Sequence, residues 1–218
     1  MKFHSTKDDM HEHQPPQAIF IADALALDFL NSVATPVDEP VDSIDNGDGL
    51  LQWLEQADLV PAEALAMLRA QALPGELDAV ATQARSLREW FRSFVRTHMG
   101  KPIDREALPA LESLNRLLER DDGYGRIAPS TSGAGLAWQW QRRWRSPESL
   151  LQPIAEALAK FVCEEDFSAV KACEGSRCTL MFADHTRGQR RRWCSTAVCG
   201  NRAKVAAHRQ RKKEAGMR

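Results

Sequence analysis

The chain has 218 residues, 43% of them hydrophobic and 27% charged, which is enough to bury a core without disulfide staples and excludes a disordered, collagen-like or fibrous chain. Its most apolar stretch, Ala18 to Ala34, is interrupted by Asp23, Asp28 and Asn31, so it falls short of the roughly 20 clean residues that a bilayer helix needs, and no membrane partner is expected. The formal net charge of −1 hides a division: residues 171–218 carry 13 Lys and Arg against 3 acids, residues 1–170 carry 16 against 27. A basic tail on an acidic body points to a polyanion as partner of the tail.

Residues 1–17, with His4, His11, His13, Pro15 and Pro16, show no apolar period and no secretory signal. They read as a disordered lead-in to a cytoplasmic protein. Ile19-Phe20-Ile21 and Leu25 to Leu30 are dense enough to be buried, as a short strand leading into a helix or turn, with Asp28 and Asn31 making capping or backbone hydrogen bonds. The acids of residues 35–49 (Asp38, Glu39, Asp42, Asp45, Asp48) lack the alternate spacing and final Glu of a calcium loop and read as solvated. From Leu50 to Arg120 the pattern is helical, with Leu77, Val80, Ala84, Leu87, Phe91 and Phe94 spaced three and four apart. Arg85, Arg88, Arg92 and Arg96 form a second stripe, expected to be a solvated face opposite acids elsewhere in the body.

After the breaker Gly100-Lys101-Pro102, Leu111, Leu114 and Leu118 continue the helical pattern. Residues 122–144 predict a β-hairpin whose second strand places Trp138 and Trp140 on one face, expected to pack on the helices. Ser146-Pro147 starts a last body helix through Ile154, Leu158 and Phe161, kinked or restarted at Pro153. Cys163 at its end reads as a buried thiol.

The other four cysteines, Cys173, Cys178, Cys194 and Cys199, are spaced C-x4-C-x15-C-x4-C. Two close pairs, each closing a tight turn and separated by a hairpin's length, are what tetrahedral zinc requires, so one structural Zn2+ per chain is expected. Thr179 to Phe182 is predicted to pair with Arg190 to Trp193, and a helix is predicted from Asn201 to Ala215. Such a layout is treble-clef-like. Its basic surface comprises Arg190, Arg191 and Arg192 on the hairpin and Arg202, Lys204, Arg209, Arg211, Lys212 and Lys213 on the helix, the electrostatic footprint of a nucleic-acid binder.

The run Cys173-x4-Cys178, Phe182-x-Asp184, Arg191-Arg192-Trp193-Cys194-Ser195 and Cys199-Gly200-Asn201-Arg202-x-Lys204 resembles the CGNR zinc finger. In that family the finger follows an N-terminal domain named ABATE, described for stress-induced bacterial transcription regulators. Leu25 to Asn31, Trp53-Leu54 and Leu114-Asn115 resemble motifs of that domain. The resemblance implies a zinc-dependent DNA-binding regulator.

The fold expected is mainly α: a lead-in over 1–17, a helical domain with a small β-hairpin over 18–165, and a zinc finger with a basic helix over 166–218. DNA is the expected partner of the finger. A small-molecule effector or a homodimer is open for the body. RNA or a protein remains an alternative partner. A zinc nuclease using His185 and Asn201 is the enzymatic alternative; it is disfavoured, and no enzyme is expected, because four thiolates close the metal and no general base accompanies them. Gly200 is expected to allow close backbone approach, Asn201 to cap the helix or support the zinc thiolates, Trp193 to pack under the finger, and Asp184 to fix a turn or pair with an arginine.

Overall fold

The computed structural model describes residues 17–35, 40–130 and 133–216. The lead-in through residue 16, the acids Asp38 and Glu39, and hairpin residues 131–132 lie outside the described residues. Residues 17–21 form no strand; they lead irregularly to Asp23, whose φ of 59° turns the chain towards helix α1 (Leu25–Leu30). All of α1 after Leu25 is buried. Asp28 Oδ1 accepts from the Ile21 and Ala22 N–H groups at 2.9 and 3.0 Å, so the buried carboxylate pins the entering strand of chain.

Strand β1 (Val33–Ala34) pairs antiparallel with β2 (Val41–Asp42), and helix α2 (Gly47–Gln56) begins inside the segment expected as an acidic loop. Asn46 caps α2 by accepting from Gly49 N–H. Helix α3 (Ala62–Gln71) leads to α4 (Glu76–His98), which buries Val80, Ala84, Phe91 and Phe94 along the expected stripe. After Gly100 the chain passes through a 3-10 turn into α5 (Glu112–Leu118). Strands β3 (Gly123–Pro129) and β4 (Leu136–Arg142) form the expected hairpin. Helix α6 (Leu151–Glu164) follows a 3-10 turn over Pro147–Leu150 and carries Pro153 in its first turn, where a missing N–H breaks no helical bond.

The tail adds antiparallel strands β5 (Val170–Ala172) and β6 (Met181–Ala183) and the helix α7 (Asn201–Gly216). One apolar cluster runs through both parts of the chain: Trp53, Phe29, Phe91 and Leu158 of the body are continuous with Leu180 to Ala183 of the tail. Helix α1 is the hinge piece, touching α4, α6 and β6. Asn31 at its end donates from Nδ2 to Met181 O (2.8 Å) and accepts at Oδ1 from Met181 N (3.0 Å), a strand-like pairing across 150 positions of sequence.

Three burial expectations are corrected. Trp138 and Trp140 share a face, as the alternation requires, but it is the outer face, and they are 68% and 57% exposed; small Ala128 occupies the buried side instead. Cys163 is exposed, because two positions beyond buried Phe161 the helix has turned by about 200°. Arg88 and Arg92 are buried rather than solvated. Arg88 lies one turn after Ala84, whose small side chain leaves it room, and it holds both Asp42 oxygens (2.8 and 2.7 Å) and Ser32 Oγ (2.8 Å). Arg92 donates to Leu30 O at the C-terminal end of α1 and pairs with Glu89, where a cation complements the helix dipole. Arg85 ties the Ile44 and Asp45 carbonyls, and Arg96 stays exposed.

Candidate metal centre and nucleic-acid surface

The pairing of β6 differs from expectation. Met181–Ala183 pairs with Val170–Ala172, whereas Arg190 to Trp193 forms no strand and joins the hairpin through Glu174 N donating to Arg192 O (2.9 Å). The run Val170 to Ala172 is too short to announce a strand by alternation. Its consequence is that Cys173 and Cys178 sit in the loop of the β5–β6 hairpin, a rigid turn closed by Cys173 N donating to Leu180 O (2.9 Å). Cys194 precedes a wide π-helical turn, Thr196–Gly200, which carries Cys199 and runs directly into α7. Ser195 Oγ caps that turn by accepting from Val198 N–H, and Asn201 Nδ2 donates back to Ala197 O (2.9 Å), so Asn201 serves the helix junction.

The four sulfur atoms lie within 4.8 Å of one another, with Cys178–Cys194 at 3.7 Å and Cys194–Cys199 at 3.6 Å. A tetrahedron with Zn–S bonds of about 2.3 Å has edges of about 3.8 Å. Cys173, Cys194 and Cys199 are buried and Cys178 is half-buried. Cys173 Sγ accepts N–H groups from Gly175 (3.4 Å) and Cys194 (3.3 Å), the support a bound thiolate needs. The close Cys194 sulfur pulls the Cys178 thiol down, while the same contact, with burial and the Cys178 charge, pushes Cys194 far up, so the set titrates as one unit. Such a group of thiols ionises together only around a cation, and the donor set and spacing fit one structural Zn2+. A Cβ on Gly175 would stand 3.1 Å from both Cys199 Sγ and Cys178 Cβ, so a larger residue in the first turn would press on two ligands of the metal site. His185 instead meets Glu165 (3.0 Å), and neither it nor His208 belongs to the cysteine cluster.

The basic residues divide into two groups. Arg191 is half-buried: it donates to Ile21 O (3.0 Å), Cys194 O (2.6 Å), Trp193 O (3.1 Å) and Asp23, and its guanidinium lies 4.3 Å over the Phe182 ring. It thereby clamps a zinc ligand to the segment ahead of α1. Arg192 pairs with Glu174 and stacks over Trp193 (5.0 Å). Trp193 packs against the core and meets Gly200, where a Cβ would be 3.3 Å from the ring. Asp184 is buried. Burial opposes its charge, but Lys171 (2.7 Å), Thr186 and the Arg191 N–H (2.8 Å) outweigh that and hold the carboxyl well below its usual range. By contrast Arg190, Arg202, Lys204, Arg209, Arg211, Lys212 and Lys213 are exposed. The backbone bonds expected of Asn31 are present, but no sequence signal pointed to Met181 as their partner, nor to the pairing of Arg191 with Asp23, since these partners are distant in the chain.

A family model described as "Putative stress-induced transcription regulator", ABATE, matches residues 23–165. The model of the CGNR zinc finger matches residues 169–212, which include all four cysteines and most of α7. No curated protein matches the chain. Among the described residues no helix is long and apolar enough to cross a membrane. The chain belongs to the ABATE family, and its ABATE region is followed by a CGNR zinc finger with a four-cysteine site for one structural zinc.

Proposed function

We propose that the protein is a zinc-dependent, DNA-binding transcription regulator and not an enzyme, with a body over 18–165 and a finger over 166–218. Helix α7 carries the reading. It has six Lys and Arg against one acid, every one of the six is exposed, and the helix packs on little beyond the turn that bears Cys199. A helix that is polar all round and unsupported by a core needs an external partner, and its charge selects a polyanion. At 16 residues it is about 24 Å long, suited to a major groove about 12 Å wide.

Zinc in this reading neutralises the thiolates and locks the two turns, so that α7 leaves the body in one direction. The body reads a stress signal or brings two fingers together. A reducing cytoplasm suits a site that needs all four thiols free. The nine basic residues then have separate duties: Arg191 holds the finger to the body, Arg192 is engaged with Glu174 and Trp193 at the edge of the surface, and Arg190, Arg202, Lys204, Arg209, Arg211, Lys212 and Lys213 face phosphates. Selection of fragments from a random duplex library by the zinc-loaded protein, with single-stranded RNA as competitor, tests this reading. Enrichment of duplexes that survives RNA and is lost on chelation supports it; preferential capture of RNA, or no enrichment, overturns it.

A further inference from the structure

The β3–β4 hairpin turns its largest side chains to water. Ile127, Leu136, Trp138 and Trp140 are 72%, 77%, 68% and 57% exposed. The register places them on one face, with Ile127 opposite Trp138, Pro129 opposite Leu136 and Gly125 opposite Trp140. Both indoles lean over the glycines of β3, with their ring centroids 6.2 Å apart and their planes tilted by 41°: a Cβ on Gly125 would be 2.4 Å from the Trp138 ring, and one on Gly123 would be 2.1 Å from the Trp140 ring. The glycines thus turn two aromatic side chains into a continuous apolar plate. The opposite face is polar, with Tyr124 donating to Gln141 (3.0 Å) and Gln139 to the Pro129 carbonyl (3.2 Å). Ion pairs fix the base of the arm: Arg142 with Asp121 and Glu156, and Arg143 and Arg145 with Asp122.

A two-stranded sheet is marginal in water without a third strand or a covering element. Four large side chains at these exposures present on the order of 500 Å² of apolar surface, at the upper end for a monomer. With the strand edges added, that approaches the roughly 800 Å² per partner of a standard interface. We propose that this plate is a homodimer interface, occupied by the same plate of a second copy about a two-fold axis. A like surface is the fitting occupant because the four side chains form one apolar patch of about the area that one partner of a small symmetric dimer buries, without charge that calls for a complement, and the same patch on two copies can close as an isologous pair. Stacking of nucleobases on the tryptophans is the competing occupant that the test below reads out. The inference stands independently of DNA binding; together they give a regulator that presents two fingers.

The test is sedimentation equilibrium of the full-length, zinc-loaded protein at micromolar concentration, without nucleic acid, for wild type, Ile127→Glu and Leu136→Glu. Both positions are exposed, so helical circular dichroism and zinc content serve as folding controls. Wild type should be a dimer whose tryptophan emission shifts to the red on dilution. Each variant should keep its fold and zinc while the dimer dissociation constant rises about thirtyfold or more. A monomeric wild type, variants that dimerise like wild type, or tryptophan quenching by oligothymidine in place of dimerisation would each overturn the proposal.

Discussion

Replacing Asn31 by Ala should loosen the attachment of the zinc finger to the body while removing no metal ligand. Asn31 and Met181 are both 2% exposed, and the Asn31 amide is the bonding partner of both Met181 main-chain groups. The variant leaves one N–H and one C=O buried and unmatched, at about 1–3 kcal/mol each, for a total of about 2–6 kcal/mol. Against a total stability of about 5–15 kcal/mol that is a large share, and at about 2–4 °C per kcal/mol it lowers Tm by roughly 10 °C. Asn31→Asp should do no better at neutral pH, because it points a carboxylate oxygen at the Met181 carbonyl. Thermal unfolding by circular dichroism, run beside zinc release to a chromogenic chelator, reads both effects, and zinc should leave the variants faster at a common temperature. A loss below about 0.5 kcal/mol, the range of an ordinary surface change, would refute the seam described here.

Cys→Ser at 173, 178, 194 or 199 should each abolish stoichiometric zinc by metal analysis, whereas exposed Cys163→Ser should retain it; full zinc in any of the four would remove that residue from the site. Burial raises the Asp28 carboxyl from 3.8 to about 6, with the Ala22 and Ile21 N–H bonds offsetting part of the effect. Ionising it therefore costs stability: the fold is favoured below about pH 4 and loses about 3 kcal/mol as pH rises through about 6. Asp28→Asn keeps an acceptor for both N–H groups, so its Tm should lack that fall and exceed wild type near neutrality; an unchanged pH slope would contradict the assignment. Arg88→Met should cost about 3–5 kcal/mol in urea denaturation, because it strands the Asp42 carboxylate and Ser32; a cost under about 1 kcal/mol would show that the pair is dispensable.

The helical stripe from Leu77 to Phe94 and the cysteine spacing were legible because each is a local pattern with one physical solution. Local pattern also put Trp138 and Trp140 on one face, but it does not say which face meets the body, and size alone suggested the wrong one. Arg88 and Arg92 read as solvated because periodicity records their angle on the helix and not the space left beside Ala84, nor the reach to Asp42 and Leu30. The true partner of β6 was hidden by the brevity of Val170 to Ala172. Of the seam only the backbone bonding of Asn31 was foreseen: that it reaches Met181, and that Arg191 reaches Asp23, are long-range pairings that neither residue announces.

The proposed binding of DNA phosphates by α7, held by the zinc site, is open to a salt titration of duplex affinity. With about six phosphate contacts, log affinity should fall against log salt at a slope of roughly −5. Arg209→Ala with Arg211→Ala should weaken binding and flatten that slope by about one to two units at unchanged zinc content. An affinity indifferent to salt, or identical in wild type and the double variant, would show that α7 is not the phosphate-binding surface.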